Sequence, residues 1–265
     1  MDLAEVATLT DSLLVAVMLG LGAYQDVKYR EIYDWVWLIC IPAAGFNVFA
    51  ILNGALNITF YQWILELVAV AAVGFALSFL RLFGEADALA ILASAAAMPV
   101  SNQIFHSQIP WFGLTVFDNG VIFAAMYTVA LALYNTAMVA AKPGYLSPYS
   151  KSGLRQRLML VTAGRKLPVK KYLEYSYKFL PLESFALDSS GIVVRTPTFG
   201  ASIDVFDKRE EQIKALVGEG RLSETEPIWV SPGIPVVTCM FVGLLFTHFV
   251  GDIVFMLALH SYMLF

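Results

Sequence analysis

Long apolar runs, rather than short amphipathic alternations, dominate this chain. The first covers roughly residues 12 to 24 and extends as a helix from about 8 to 27. The second, 34 to 52, opens at Asp34 and closes at Asn53-Gly54. The third covers 61 to 83. The fourth, 87 to 100, is short and alanine-rich, and it stops at Met98-Pro99, because proline ends or kinks a helix. The fifth runs from 118 to 141 and ends at Lys142-Pro143-Gly144. The last runs from 233 to 251, with a continuation toward Phe265. Runs of about 18 or more apolar residues are long enough to cross a bilayer. The pattern therefore predicts an α-helical polytopic membrane protein with about six transmembrane helices.

Between the fifth and last runs the pattern changes. Residues 142 to 230 hold fourteen of the 17 Lys and Arg but only ten of the 21 Asp and Glu, a net charge of +4. Within this stretch, 191 to 196 and 201 to 206 are rich in β-branched residues and flank Pro197-Thr198-Phe199-Gly200, which predicts a hairpin. Asp207 to Val217 reads as a short charged helix. The expected organisation is helices one to five in 1–141, a small α+β domain in 142–230, and the last helix with the C-terminus in 231–265.

Composition agrees. The chain is 58% hydrophobic and 14% charged, against about 25% charged in soluble domains. Its mean hydropathy is +0.69. Cys40 and Cys239 both lie in apolar runs and read as small buried hydrophobes, not as a disulfide framework. Met1 to Asp11 contains no Lys or Arg, so it lacks the basic region of a cleavable signal peptide. With six spans, Lys28, Arg30, Arg81 and the whole polar stretch fall on one side, and the other side receives no Lys or Arg. This 17-to-0 division predicts a cytoplasmic polar domain with both termini outside. The basic surface of 142–171 suits anionic lipid headgroups better than nucleic acid.

Ionisable residues inside membrane helices cost about 2.5 to 3.5 kcal/mol at a helix centre and mark functional candidates. Asp26, Glu66, Asp87 and Asp252 stand within the runs, with Asp34 and Glu85 near helix ends. The expected topology puts Asp26, ending the first helix, and Asp87, starting the fourth, at similar depth on the cytoplasmic side. Two carboxyls meeting there can activate water, one ionised and one protonated, because adjacent like charges resist double ionisation. The helix dipole favours Asp87 as the anion and leaves Asp26 to hold the proton. Gly84 and Ala86 are small enough to let the backbone approach a substrate closely. The competing structural readings are an interfacial anion beside Lys28 and Arg30 for Asp26, and a first-turn capping acid for Asp87. His106, His248 and His260 have no metal-ligand spacing, and no nucleotide-binding motif appears.

Around these aspartates the sequence resembles the archaeal type IV prepilin and preflagellin peptidases, which are GxGD-type intramembrane aspartyl proteases. The first matching segment is Tyr24-Gln25-Asp26-Val27-Lys28-Tyr29-Arg30-Glu31-Ile32-Tyr33-Asp34-Trp35. The second is Gly84-Glu85-Ala86-Asp87, with Ala86 where the pattern has its second glycine. A third contains Pro99, Pro110, Phe112-Gly113-Leu114-Thr115-Val116-Phe117 and Asn119. The resemblance implies that Asp26 and Asp87 are the catalytic pair and that no metal or other cofactor is needed. It also implies a substrate with a basic leader ahead of an apolar helix, cut on the cytoplasmic side. Glu31, Asp34 and Glu85 are expected to attract that leader. Two alternatives remain at this stage. A signal-peptide-peptidase or presenilin type of protease is disfavoured by Gln25 between Tyr24 and Asp26 and by the lack of Pro-Ala-Leu. A transporter relaying protons through buried acids is weakened by the absence of an obvious inverted repeat.

Overall fold

A computed structural model describes residues 3–80, 83–100, 111–149, 152–187, 189, 192–198, 203–254 and 256–257. Arg81, His106, Pro110, the Phe199-Gly200 turn, His260 and the extension toward Phe265 lie outside the described residues. The chain divides into two compact units, Met1–Ala124 with Pro235–Phe265, and Ala125–Ile234.

The first unit is helical. Helix α1 runs Leu3–Tyr29, α2 Ile41–Leu52, α3 Phe60–Phe79, α4 Glu85–Ala97, α5 Phe112–Ala141 (which continues into the second unit) and α9 Val236–Phe249. Four segments are long and apolar enough to cross a membrane: α1, Asp34–Leu52, α3 and α5. The apolar runs expected at 87–100 and 233–251 form helices of 13 and 14 residues. At 1.5 Å per residue these reach about 20 Å, short of a hydrocarbon layer of about 30 Å. Thus four spans, rather than six, meet the length requirement among the described residues.

The second span is not one regular helix. Asp34–Cys40 is a 3₁₀ helix, and α2 begins at Ile41 with Pro42 in its first turn. Proline is tolerated there because its missing N–H has no intrahelical partner to bond. Seven residues of 3₁₀ helix rise about 14 Å. Twelve of α-helix add about 18 Å, so the pair reaches across. A capping box fixes the start of α3: Gln62 N donates to Thr59 Oγ1 at 3.2 Å, and Thr59 N donates to Gln62 Oε1 at 2.9 Å.

The helices approach closely through small residues, as membrane helices do. A Cβ at Gly113 would lie 2.5 Å from Ala95 Cα, and one at Gly243 would lie 2.6 Å from the Gly120 nitrogen. The core around these crossings holds Val15, Met18, Leu19, Ile91, Val116, Val237, Met240 and Leu244. Asn119, fully buried, donates to Thr247 Oγ1 and the Gly251 carbonyl and accepts from Ile253 N, tying α5 to the end of α9. Overpacking costs about 1–3 kcal/mol. Gly113→Val is therefore expected to lower the melting temperature in detergent, and an unchanged melting temperature would refute the tight α4–α5 crossing.

The second unit carries α6 Leu154–Ala163, β1 Arg165–Pro168, α7 Val169–Glu174, β2 Phe179–Pro181, β3 Glu183–Leu187, β4 Val193–Pro197, α8 Ile203–Gly218 and β5 Pro227–Pro232. One antiparallel sheet has the order β1-β5-β2, and β3 pairs with β4 in a second. The expected hairpin therefore changes partner. Residues 193–197 form a strand, but they pair backward with β3, Phe185 opposite Arg195, while 203–218 are helical. In α8, Arg209, Ile213 and Leu216 recur at helical spacing and are buried. That periodicity outweighs the β-branched Ile203 and Val205. The helix expected over 207–217 lies within α8.

A buried ion pair links the two sheets. Arg195 grips Glu183 with two bonds, Nε to Oε2 at 2.6 Å and Nη2 to Oε1 at 3.0 Å. Its Nη1 reaches Glu226 at 2.9 Å, and Glu183 Oε1 also accepts from Trp229 N. Lys166 lies over the rings of Tyr145 and Trp229. Burial, with the nearby Arg195 charge, holds its ammonium below the ordinary lysine range.

Candidate active site

Asp26 occupies the last full turn of α1. Its carboxyl is 14% exposed, and Oδ1 lies 3.5 Å from Arg30 Nη1, one turn on. Oδ2 is buried and has no hydrogen-bond partner. Arg30 ends the helix with φ +60°, a left-handed conformation that costs a side chain roughly 1–2 kcal/mol. The buried Gln25 holds the following turn, its Oε1 accepting from Tyr33 N at 2.9 Å. Lys28 is drawn aside by Tyr24, donating to its hydroxyl at 2.7 Å and lying over the Tyr24 and Tyr29 rings.

The start of α9 packs against this end of α1. Thr238 Oγ1 donates to the Ala23 carbonyl at 3.3 Å. A Cβ at Gly22 would stand 3.0 Å from Val237 Cγ1, so glycine there permits the approach. The first-turn backbone of Val237 and Thr238 consequently faces the Asp26 carboxyl without reaching hydrogen-bond geometry on Oδ2.

Asp87 is the third residue of α4, and its Oδ2 accepts from Gly84 N at 2.9 Å. It therefore caps its own helix, as the structural reading anticipated. It also lies within Coulomb range of Asp26, and the buried Cys239 is within range of both. The ends of α1, α4 and α9 thus hold the two aspartates within electrostatic range of each other, with no direct bond between them among the described residues. Arg30 provides Asp26 with a cation, which the assignment of the proton to Asp26 had not included.

Gly84 is exposed at the helix cap, and Ala86 packs on the apolar core. Glu31, Asp34 and Glu85 are all exposed on the segments that flank the aspartates. No group of three His, Cys, Asp or Glu suited to a metal occurs among the described residues. His248 bonds Ser12 Oγ and the Leu244 carbonyl.

Two acids escaped the sequence reading. Asp11 is 5% exposed beside the fully buried Asn47. Asp118 lies within Coulomb range of the buried Asp252. Both stand where an apolar run begins, so each reads as a boundary residue. Glu66 is fully buried, and neither carboxylate oxygen has a hydrogen-bond partner.

Residues 156–253 match the family model Archaeal Peptidase A24 C-terminus Type II. That match covers much of the polar stretch and the last helix, complementing the motifs around Asp26 and Asp87. The preflagellin peptidase of Methanocaldococcus jannaschii is 23% identical over 256 residues, covering 89% of this chain and 92% of that protein. The preflagellin peptidase of Methanococcus maripaludis is 21% identical over 249 residues, covering 89% and 93%.

Proposed function

We propose, on the premise that this chain is a relative of the archaeal preflagellin peptidases over most of its length, that it is a membrane aspartic endopeptidase. Its substrates are preflagellin- and prepilin-like precursors, from which it removes the basic class III signal peptide at the cytoplasmic face. The observation that carries this reading is that Asp26 and Asp87, on separate helices, lie within electrostatic range of each other. Two carboxyls in Coulomb range share one proton more readily than both ionise. The ionised member takes a proton from water, which attacks the scissile carbonyl. The protonated member donates to the carbonyl oxygen, and collapse of the tetrahedral intermediate follows proton transfer to the amide nitrogen. Gly84 and Ala86 leave the backbone room to lie along an extended substrate.

With α4 and α9 counted as crossings, giving six, the charge division favours the polar stretch 142–230 inside and both termini outside. Exposed Glu31, Asp34 and Glu85 present negative charge to the basic leader. The test is cleavage of a membrane-embedded precursor with a basic leader. Wild type is expected to cut ahead of the apolar segment, and the reading fails if no such cut occurs. Exposed charge pairs contribute about 0.2–1 kcal/mol each. Neutralising Glu31, Asp34 and Glu85 together, a loss of about 0.6–3 kcal/mol, is therefore expected to raise KM by about threefold to 150-fold with little change in kcat. An unchanged KM would remove these three acids from substrate capture.

A further inference from the structure

Within Ala125–Ile234, the last turns of α5 and one face of α6 enclose a groove of about 280 Å³. Its walls are Val139 of α5, Leu146, and Leu154, Leu158 and Val161 of α6, with Arg157 among them. Leu154, Arg157, Leu158 and Val161 recur at helical spacing and form one stripe. The stripe is uncovered: Leu154 is 67% and Leu158 53% exposed. The opposite side of α6 is already occupied, with Leu160 buried against Tyr149, Leu182 and Trp229.

The groove is held in shape. Asn135 of α5 is fully buried and donates to the Val161 carbonyl at 2.9 Å and the Gly164 carbonyl at 2.6 Å. These bonds satisfy carbonyls at the end of α6 and fix it to α5. Gly164 allows the close turn, since a Cβ there would lie 2.5 Å from the Leu160 carbonyl oxygen. Arg157 Nε is buried and unbonded, and no carboxylate pairs with this guanidinium among the described residues.

Position points to the occupant. Helix α5 has 30 residues and is long and apolar enough to cross a membrane. Thr136 and Val139 lie in its last two turns, about 27 and 32 Å from Asp118 where the apolar run begins, at the far edge of a hydrocarbon layer of about 30 Å. The groove therefore opens at headgroup depth, with Lys142 just past the helix end. Apolar walls and one unpaired cation at that depth complement an amphiphile with an apolar chain and an anionic head.

We propose that this groove binds one anionic phospholipid of the surrounding membrane, its chain along Val139, Leu154 and Leu158 and its phosphate on Arg157. A basic leader peptide would meet Arg157 as a like charge, so the groove is separate from substrate capture. The proposal requires that α5 cross the membrane and does not require peptidase activity.

The test uses the full chain, delipidated in neutral detergent, with Leu158→Trp reporting quenching by brominated lipids. Phosphatidylglycerol is compared with phosphatidylcholine of the same chains. Phosphatidylglycerol is expected to bind about fivefold tighter or more, as one cation at a headgroup supplies. Arg157→Gln should abolish the difference, and Arg157→Lys should retain it. The preference should persist in Asp26→Asn, which separates it from peptidase activity. Inorganic phosphate at millimolar concentration should leave quenching unchanged. Equal affinity for the two lipids would overturn the proposal, as would an intact preference in Arg157→Gln. Displacement by phosphate alone, or by a basic leader peptide, would overturn it as well.

Discussion

Asp26→Asn and Asp87→Asn are each expected to lower the cleavage rate by about a thousandfold or more while leaving the chain folded. General acid–base groups contribute about 10²- to 10⁴-fold, and members of a unit lose their effect together. The asparagine substitutions are informative because each retains the local structure. At position 87 an amide oxygen can still accept from Gly84 N, which Asp87 does at 2.9 Å, so the start of α4 remains capped. At position 26 the loss is a partly exposed pair with Arg30, worth about 1 kcal/mol at most. If Asp87 served only as a cap, Asp87→Asn would cleave at near wild-type rate and Asp87→Ala would lose stability. A catalytic Asp87 gives the opposite pattern, with Asp87→Asn folded and inactive. The double variant should be no slower than either single one, since both carboxyls serve one step. Near wild-type cleavage by either Asn variant would end the aspartic assignment.

Arg195→Met is expected to lower the melting temperature of the second unit by more than 10 °C. Glu183 is fully buried and takes two bonds from Arg195 and one from Trp229 N. Removing the cation strands a buried carboxylate, which costs about 3–5 kcal/mol. In a unit of roughly a hundred residues each kcal/mol moves the melting temperature by about 4–8 °C, so the expected fall exceeds 10 °C. Arg195→Lys should fall in between, because an ammonium cannot fork onto both carboxylate oxygens. Adding Glu183→Gln to Arg195→Met should recover part of the loss by removing the stranded charge. Glu226, bonded at 2.9 Å but 39% exposed, should matter little. Trp229 is fully buried, so its emission provides the measurement: Arg195→Met should shift it to the red. An unshifted emission and melting curve would show that the pair is incidental to this unit.

Which features the sequence revealed depended on the range of the interaction. Apolar runs located each of the apolar helices among the described residues, since hydropathy is a local property that survives any arrangement of neighbours. Helix lengths were less legible. The change of winding at Cys40–Ile41 depends on one proline and on packing of Trp37 and Cys40 in the core, and a run of apolar letters does not encode either. The pairing in the polar stretch was misjudged because β-branched residues indicate extended backbone without naming its partner. Ser184 and Ala186 gave β3 no signal, yet β3 is the strand that β4 chose. At the candidate site, Asp26 and Asp87 stood out as acids at the ends of apolar runs. The Arg30 contact was readable from its spacing of four. The approach of α9 to Asp26 was not, because more than two hundred residues separate Val237 and Thr238 from it.

The 3₁₀ segment Asp34–Cys40 makes its span adjustable. Rewinding it to α-helix would shorten the six steps by about 0.5 Å each, or about 3 Å in all. That matches the few ångströms by which bilayers differ in thickness. The same rewinding changes the turn per residue from about 120° to about 100°. Asp34 would then swing by about 120° around the axis relative to Cys40, which is fixed in the core. A change of winding in this one segment would therefore alter both the length of its helix pair and the direction in which an acid beside the candidate site faces.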